Sequence, residues 1–279
     1  MARTWRCGRF DLSLRTPCVM GVLNVTPDSF SDGGAFADHA SALAHGRGLA
    51  AAGACIIDVG GESTRPGSAE VSTAEEIRRT RDVVSVLAEE LGVPISIDTR
   101  HPEVALAALG AGASVINDVS GFRDPAMVHV AASSDAGLVV MHMQGEPRTM
   151  QTEPHYEDVV AEVGEYLLGQ ARMLESAGVA RERICLDPGI GFGKTLEHNL
   201  ELLRRLSDLA DLGYPLLIGV SRKSMIGALT DEPDPRKRLE GSLAAALWAV
   251  SAGADVVRVH DVRETLRALK VWSAIEGEA

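Results

Sequence analysis

Eight short runs rich in valine, isoleucine and leucine, separated by segments of helical period, constrain the fold of this chain most strongly. The runs are Cys18–Val25, Cys55–Gly60, Ile95–Thr99, Val115–Val119, Leu138–His142, Ile184–Asp187, Leu216–Val220 and Val256–His260. Apolar runs that alternate with helices are typical of parallel strands buried on both faces. From Asn24 to His260 the chain advances 236 residues, so the seven intervals average about 34 residues, which suits one strand–helix unit.

Eight such units predict a (β/α)8 TIM barrel rather than a doubly wound sheet. The predicted helical segments include Ala40–Ala52, Thr73–Leu91, Pro102–Leu109, Tyr156–Ala177, Leu196–Asp211 and Leu239–Ala252. Upstream of the first strand, Trp5–Leu14 predicts a short β-hairpin that closes the bottom of the barrel. The sequence contains no linker or low-complexity tract, so we expect residues 1–279 to form a single domain.

The charge balance limits the partners of the chain. It contains 27 Lys and Arg against 39 Asp and Glu, a formal net charge of −12, which argues against a nucleic acid or an anionic membrane surface as partner. No apolar run reaches the about 18 residues that a membrane helix needs, and no secretory signal is visible at the start, so we expect a cytoplasmic protein. The four cysteines lack metal-binding spacing and are expected to be buried free thiols.

Polar residues collect at the carboxyl ends of the predicted strands, where active sites on this fold lie. The polar segments are Asn24–Gly34, Asp58–Gly67, Asp98–Arg100, Asn117–Gly121, Met141–Gly145, Asp187–Lys194, Ser221–Ser224 and Arg258–Asp261. Burying so many polar groups costs several kcal/mol unless a network or a ligand satisfies them. Asp and Asn side chains suit the edge of a flat, amide-like heterocycle, and Arg65, Lys223, Arg258 and His260 supply cations for an anionic group. The sequence therefore predicts a site for a heterocycle beside a phosphate-like anion.

These segments resemble the motifs of bacterial dihydropteroate synthases, which are pterin-binding enzymes. The resemblance covers about residues 18–275 in the family's order, and its most specific parts read NVTPDSFSDGG, DVGGESTRPG, DPGIGFGK, SRKS and RVHD. It implies a transferase of folate biosynthesis that condenses 6-hydroxymethyl-7,8-dihydropterin diphosphate with 4-aminobenzoate to give 7,8-dihydropteroate and diphosphate. It also implies Mg²⁺ beside the diphosphate, competition by sulfonamides at the 4-aminobenzoate site, and a homodimer.

The resemblance further implies a role for each matching residue. The pterin site would consist of Asp98, Asn117, Val119, Met141, Asp187, Phe192 and Lys223, with Asp187 on the 2-amino and N3 edge of the ring. The diphosphate site would consist of Asn24, Thr64, Arg65, Arg258 and His260, with Asn24 also a ligand of Mg²⁺. The 4-aminobenzoate pocket would consist of Phe30, Arg65, Pro66, Lys223 and Ser224. The catalytic group would be Asp28, Asp32, Lys223 and Arg258.

The chemistry of the residues agrees with these roles. An aromatic amine is already neutral at pH 7, so no strong general base is needed. Departure of diphosphate would leave a cationic pterin methylene, which a carboxylate such as Asp32 would stabilise. Mg²⁺, Arg258 and His260 would stabilise the leaving anion. Two other polar residues of this region are expected elsewhere: His142 facing away from the pocket and Lys194 at the surface, either solvated or beside a phosphate.

Two other functions stay open at this point. A pterin-dependent methyltransferase would keep Asp98, Asn117 and Asp187, but it gives no reason for the residues at 63–66 and 221–224, and the chain has no room for a cobalamin domain. An inactive pterin-binding paralogue is the non-enzyme alternative. Against it stand the intact loop and cation residues, Asp28, Asp32, Arg65 and Lys223.

Overall fold

A closed barrel of parallel strands lies at the centre of the computed structural model, which describes residues 3–25, 34–62, 71–146 and 149–277, without the side chains of 34–38. Within these residues the strands are β1 (Thr4–Cys7), β2 (Phe10–Ser13), β3 (Cys18–Asn24), β4 (Ile56–Gly60), β5 (Ile95–Asp98), β6 (Val115–Asp118), β7 (Gly137–Met141), β8 (Ile184–Asp187), β9 (Leu217–Ile218) and β10 (Val256–Val259). From β3 to β8 each strand pairs in parallel with the next, and β10 pairs with both β9 and β3. A parallel bridge between Leu186 and Leu216 joins β8 to the segment that leads into β9, which closes the ring. The predicted (β/α)8 barrel is confirmed.

Helices follow the barrel strands and cover the outside of the sheet. In the described part of the chain they are α1 (Gly34–Ala51), α2 (Thr73–Glu90), α3 (Pro102–Gly110), α4 (Pro125–Ala132), α5 (Val159–Ser176), α6 (Leu196–Arg204), α7 (Leu206–Ala210), α8 (Ser224–Thr230), α9 (Leu239–Ser251) and α10 (Val262–Glu276). All six predicted helical segments are present, although the fifth breaks at Arg205 into α6 and α7. None of these helices combines the length and the apolar character that crossing a membrane would require.

Three of these helices, α4, α8 and α10, were not among the predicted segments. The start of α4 carries a recognisable signal, because Pro125 occupies the first turn and the Asp124 side chain accepts a hydrogen bond from the Ala126 N–H. The helix is short and weakly amphipathic, so its apolar periodicity alone does not reveal it.

Alternation along the barrel strands separates an apolar layer from a polar one. Residues i and i+2 of a strand point to the same face, so a residue that faces the interior is followed two places later by another. The pairs are Ile56 and Asp58, Ser96 and Asp98, Val115 and Asn117, Cys185 and Asp187, and Val256 and Arg258. The first members are buried near the bottom of the barrel, and the second members lie at or beside the carboxyl ends of their strands. The strand register therefore collects the polar side chains at one end.

The N-terminal hairpin closes the opposite end, as predicted. Strands β1 and β2 pair antiparallel, and Trp5 and Cys7 are fully buried against the lower layer of the barrel. The Trp5 indole Nε1 donates a hydrogen bond of 2.9 Å to the carbonyl oxygen of Arg183. The hairpin is thus an integral part of the core.

Trp5→Phe removes this indole donor and leaves the Arg183 carbonyl unpaired in a buried place. We expect the free energy of unfolding to fall by about 1–3 kcal/mol, measured by urea denaturation. Trp248→Phe is the matched control, since the Trp248 indole also donates to a carbonyl, that of Leu203, but the side chain is 53% exposed and water can replace the bond. Equal losses of unfolding free energy in the two variants would contradict the idea that the buried hydrogen bond of Trp5 holds the hairpin against the barrel.

Candidate active site at the barrel mouth

A guanidinium between two carboxylates forms the floor of the barrel mouth. Arg258 of β10 donates from Nε to Asp58 Oδ2 and from Nη2 to Asp98 Oδ2, each at 2.6 Å. The Asn117 amide of β6 donates to the same Asp58 oxygen at 3.1 Å. Four strands of the barrel are therefore joined by one hydrogen-bonded network of side chains.

Burial and charge set the protonation of this network. Burial raises the pKa of Asp98, and the Arg258 guanidinium opposes that shift. Burial works against the cation of Arg258, but Asp58 and Asp98 together raise the pKa of the guanidinium, which remains charged. The second oxygen of Asp58, Oδ1, is buried and accepts no hydrogen bond. A fully buried carboxylate with a spare acceptor suits a site that still has a donor to receive.

Arg258→Met should destabilise the protein, because Asp58 and Asp98 would keep their buried positions without a cation. We expect a loss of about 3–5 kcal/mol in the free energy of unfolding, measured by urea denaturation with a circular dichroism readout. The control is Arg236→Met, whose ion pair with Asp234 lies in solvent and contributes little. If Arg258→Met proved as stable as the control, the floor would not depend on the guanidinium.

Asp187 and Lys223 lie on the neighbouring part of the mouth. The Gly189 N–H donates to Asp187 Oδ1 at 2.7 Å, which fixes the carboxylate at the end of β8. Burial lowers the pKa of Lys223 to about 8, while the Asp187 carboxylate opposes the shift and Arg258 adds to it. Burial also raises the pKa of Asp187, with Lys223 among the groups that oppose the rise. These residues share one electrostatic environment.

An apolar wall flanks the polar groups. Val119, Met141, Met143 and Met150 form a separate buried cluster, and Phe192 packs against it. The Lys223 ammonium lies 4.0 Å from the centroid of the Phe192 ring. Polarisable thioethers and an aromatic face beside fixed carboxylates are suited to a flat, partly polar ring.

The turn after β8 depends on a glycine and a buried lysine. Gly189 has φ +67°, and a Cβ there would lie 1.9 Å from the carbonyl oxygen of His142, which no side chain could tolerate. The Lys194 ammonium donates to the carbonyl oxygens of Gly189 and Phe192 at 3.1 and 3.0 Å and lies 2.9 Å from Nδ1 of His142. Lys194 is only 3% exposed. The prediction of a surface position for Lys194 is therefore wrong, because the turn folds its carbonyls around the ammonium.

His142 occupies the place that the sequence predicts for it. Its ring is buried and packs edge-on against Tyr166, with the centroids 4.9 Å apart. Burial, followed by the Lys194 cation, lowers the pKa of His142 to about 3, so the neutral ring offers Nδ1 as an acceptor to Lys194. His142 and Lys194 thus form a structural pair beneath the turn that carries Phe192.

Lys194→Met provides a pH test of this pair. Burial lowers the pKa of Lys194 to about 7, whereas an unfolded lysine titrates near about 10.4. Between those values the unfolded chain binds more protons, so the contribution of Lys194 to stability is poorest below pH 7 and improves as the pH rises towards 10. We expect the wild type to gain stability relative to Lys194→Met by up to about 1.4 kcal/mol per pH unit between pH 7 and 9. Parallel urea-unfolding profiles of the two proteins against pH would contradict the assignment.

Three further predicted residues, Asn24, His260 and Ser224, lie at the rim of the mouth. Asn24 ends β3 beside Gly60, and a Cβ on Gly60 would lie 3.8 Å from Asn24 Oδ1 and 3.7 Å from Asp98 Oδ2. His260 Nδ1 lies 3.1 Å from Ser221 Oγ, which also accepts from the His260 N–H at 3.2 Å. Ser224 is exposed at the first turn of α8.

Six predicted residues lie outside the described part of the chain: Asp28, Phe30 and Asp32 after β3, and Thr64, Arg65 and Pro66 after β4. All other predicted pterin and diphosphate residues are brought to the same end of the barrel. Their individual roles toward a ligand stay predictions.

Two features of the mouth were missed from the sequence. Asp58 was part of a polar segment but was not assigned as a site residue, although it follows Ile56 by two places as the other floor residues follow theirs. Arg222 has φ +60°, is held by a bidentate ion pair with Asp261 at 3.1 and 2.5 Å, and donates its N–H to Ser242 Oγ. This strained residue precedes Lys223 and fixes where that lysine leaves the backbone. Arg222 and Asp261 lie far apart in the sequence, and only the tertiary fold brings them together.

The family described as "Pterin binding enzyme" matches residues 20–260. A dihydropteroate synthase of Neisseria meningitidis serogroup C is 52% identical over 280 residues, which cover 99% of each chain. The chain belongs to the dihydropteroate synthase family of pterin-binding enzymes.

Solved structures of the family agree with the fold. A Xanthomonas albilineans dihydropteroate synthase with 4-aminobenzoic acid superposes with a TM-score of 0.94 at 45% identity, over 99% of both chains. A Burkholderia cenocepacia dihydropteroate synthase complexed with 7,8-dihydropteroate superposes with a TM-score of 0.90 at 47% identity, over 99% of this chain and 97% of that one. Family membership and barrel architecture are therefore supported together.

Proposed function

We propose that this chain condenses 6-hydroxymethyl-7,8-dihydropterin diphosphate with 4-aminobenzoate, giving 7,8-dihydropteroate and diphosphate. The observation that carries the proposal is full-length similarity to dihydropteroate synthases on a barrel whose mouth collects Asp58, Asp98, Asn117, Asp187 and Lys223. The reaction makes the chain a transferase of folate biosynthesis. A pterin-dependent methyltransferase is not supported, since relatives named dihydropteroate synthase cover nearly the whole chain.

The pterin would lie between the floor and the apolar wall. Asp187 would accept two N–H groups from the 2-amino and N3 edge, because each carboxylate oxygen has room for a further donor beside the bond from Gly189. Asn117, Asp98 and Lys223 would pair with the other polar atoms of the ring. The faces of the ring would contact Val119, Met141 and Phe192 of the apolar wall.

The diphosphate would lie at the rim. Arg258 donates from Nε to Asp58 and from Nη2 to Asp98, so Nη1 would be the guanidinium nitrogen that donates to a phosphate oxygen. His260, held through Nδ1 by Ser221, would present its other ring nitrogen. Thr64 and Arg65, in the segment after β4, would complete the diphosphate site.

Mg²⁺ fits the donors at this rim. Asn24 offers an amide oxygen, the Asp98 carboxylate lies on the other side of Gly60, and the missing side chain of Gly60 leaves between them the space that a Cβ would fill. Oxygen donors of this kind suit Mg²⁺, which is commonly bound by few protein ligands together with substrate phosphates. We propose that Asn24 holds the ion beside the diphosphate, where it would neutralise charge on the leaving group.

The chain's own residues would then guide a substitution at the pterin methylene. The bond from the methylene carbon to the diphosphate oxygen breaks, and the amine nitrogen of 4-aminobenzoate forms the new bond and afterwards loses its proton. Asp28 and Asp32 would stabilise the positive charge that develops on the pterin methylene. Phe30, Arg65, Pro66, Lys223 and Ser224 would position the 4-aminobenzoate, the ring of which sulfonamides would imitate.

Asp187→Asn tests the pterin site. One acceptor becomes an amide N–H₂ that faces the donors of the pterin edge, and a charge-assisted hydrogen bond is worth about 1.5–3 kcal/mol. We expect pterin affinity, measured by isothermal titration calorimetry, to fall by about tenfold to 150-fold. Asp211→Asn, an exposed change after α7, should bind pterin like the wild type. Unchanged affinity in Asp187→Asn would count against the assignment.

The reaction itself is tested by mixing purified protein with the pterin diphosphate, 4-aminobenzoate and Mg²⁺. We expect release of diphosphate that depends on the amine and on the metal. Release without the amine would indicate hydrolysis instead of condensation. No release, with pterin affinity intact, would identify an inactive pterin-binding paralogue.

We further propose that the protein is a cytoplasmic homodimer. All four cysteines are free thiols, three of them buried, which suits a reducing compartment. Sedimentation velocity tests the dimer, and a single species with the mass of one chain would exclude it.

A further inference from the structure

Beside the mouth, but apart from the pterin floor, two carboxylates and an imidazole converge. Glu62 follows the end of β4, Glu76 lies in the first turns of α2, and His101 directly precedes α3. His101 Nε2 lies 3.7 Å from Glu62 Oε2 and 3.9 Å from Glu76 Oε2. One ligand atom from each residue lies within 4.8 Å of the others.

The Glu76 carboxylate is buried here without the hydrogen bonds that a buried charge needs. Its side chain is 1% exposed, and neither oxygen has a hydrogen-bond partner. The Nε2 atom of His101 is also buried and without a hydrogen-bond partner. Burying an ionised carboxylate in this way is costly unless a cation or a donor meets it. Two independent residues therefore aim unpartnered atoms into the same small space.

Backbone contacts position Glu62 and the segments that carry Glu76 and His101. The Val71 N–H donates to Glu62 Oε1 at 3.2 Å, which leaves Oε2 on the side of the imidazole. Gly61 approaches α2 so closely that a Cβ there would lie 3.0 Å from Glu76 Cγ. The His101 N–H donates to Thr99 Oγ1 at 3.1 Å. The cluster is assembled from three elements that the fold already fixes.

We propose that Glu62, Glu76 and His101 form a binding site for a divalent transition-metal ion of the zinc type. One imidazole nitrogen and two carboxylate oxygens are a donor set that zinc accepts, with water as a fourth ligand. Bonds of about 2.0–2.2 Å in a tetrahedron place neighbouring ligand atoms about 3.3 Å apart. The observed separations of 3.7 and 3.9 Å from His101 Nε2, with all three ligand atoms within 4.8 Å of one another, mean that the side chains would draw together around the ion. An imidazole ligand disfavours Mg²⁺ and Ca²⁺, which prefer oxygen.

Arg100 is the nearest competing cation. Its Nε lies 3.5 Å from Glu62 Oε2, and its Nη1 lies 3.9 Å from the exposed carboxylate of Glu146. In the part of the chain that the structure describes, Glu76 has His101 alone within ion-pair distance. Arg100 acts on Glu76 only from beyond ion-pair distance, and a metal between His101 and Glu76 would place positive charge in direct contact with that carboxylate. A protonated His101 that bridges both carboxylates is the competing arrangement.

The site would also connect the two ends of a functional segment. Glu62 precedes residues 63–70, Val71 follows them, and these two residues are joined by a hydrogen bond. Thr64, Arg65 and Pro66 lie between them. The metal would tie this junction to α2 and to the start of α3, at a place distinct from Asn24.

The test titrates metal-stripped, substrate-free protein with Zn²⁺ by isothermal titration calorimetry, and with Co²⁺ to record its visible absorption. We expect one tight equivalent in the wild type. Glu76→Gln and His101→Gln should each weaken it at least about 100-fold, since losing even an outer partner of a metal ligand costs about 10–100-fold. The control His129→Gln, an exposed histidine on α4, should bind like the wild type.

A thermal readout guards against variants that bind poorly because they fold poorly. Zn²⁺ should raise the melting temperature of the wild type and of His129→Gln, and it should not raise that of Glu76→Gln, whose neutral amide is the milder replacement in this buried place. Absence of a tight equivalent in the wild type would overturn the proposal in favour of the imidazolium bridge. The proposal would also be overturned if Glu76→Gln and His101→Gln both bound Zn²⁺ as tightly as the wild type. No substrate is present, so the result is independent of whether the condensation occurs.

Discussion

Arg258 holds the mouth of this barrel together by lying between the carboxylates of Asp58 and Asp98. Each of these acids would be costly to bury alone, and their mutual repulsion would be felt across adjacent strands. The guanidinium is planar and remains charged, so it can serve both acids at once in a fixed geometry. Burying these three charged groups costs desolvation free energy. In return, the network forms a rigid set of hydrogen-bond acceptors where a substrate ring would bind.

The same barrel interior supports this floor from below. The lower layer is closed by Trp5 and the hairpin, and it contains Ile56, Val115, Cys185 and Val256, each two places before a polar residue. A shift of one residue in any strand would turn its polar side chain out towards the helices and put its apolar partner in the wrong place. Core packing and site geometry are therefore consequences of one register, which explains why the polar positions cannot be moved independently.

Around the floor, the loops are positioned by buried charges and strained backbone. Lys194 gathers the carbonyls of the turn that carries Phe192, and Arg222 holds the start of α8 by its pair with Asp261. Glu62, Glu76 and His101 likewise converge just after β4, where the Val71 N–H donates to the Glu62 carboxylate. These polar groups near the mouth position loops, whereas the floor residues face the space that a substrate would occupy.

The sequence by itself determined the eight-stranded barrel, the hairpin beneath it and the convergence of Asp98, Asn117, Asp187 and Lys223, because apolar period and strand-end polarity are local patterns that this fold repeats. Its motifs also carried the resemblance to dihydropteroate synthases. Tertiary structure alone decided that Lys194 is buried, that Asp58 shares the Arg258 guanidinium, and that His101 meets Glu62 and Glu76. Those outcomes depend on contacts between elements far apart in the chain, where the energy of a buried charge is set by neighbours that no local pattern reveals.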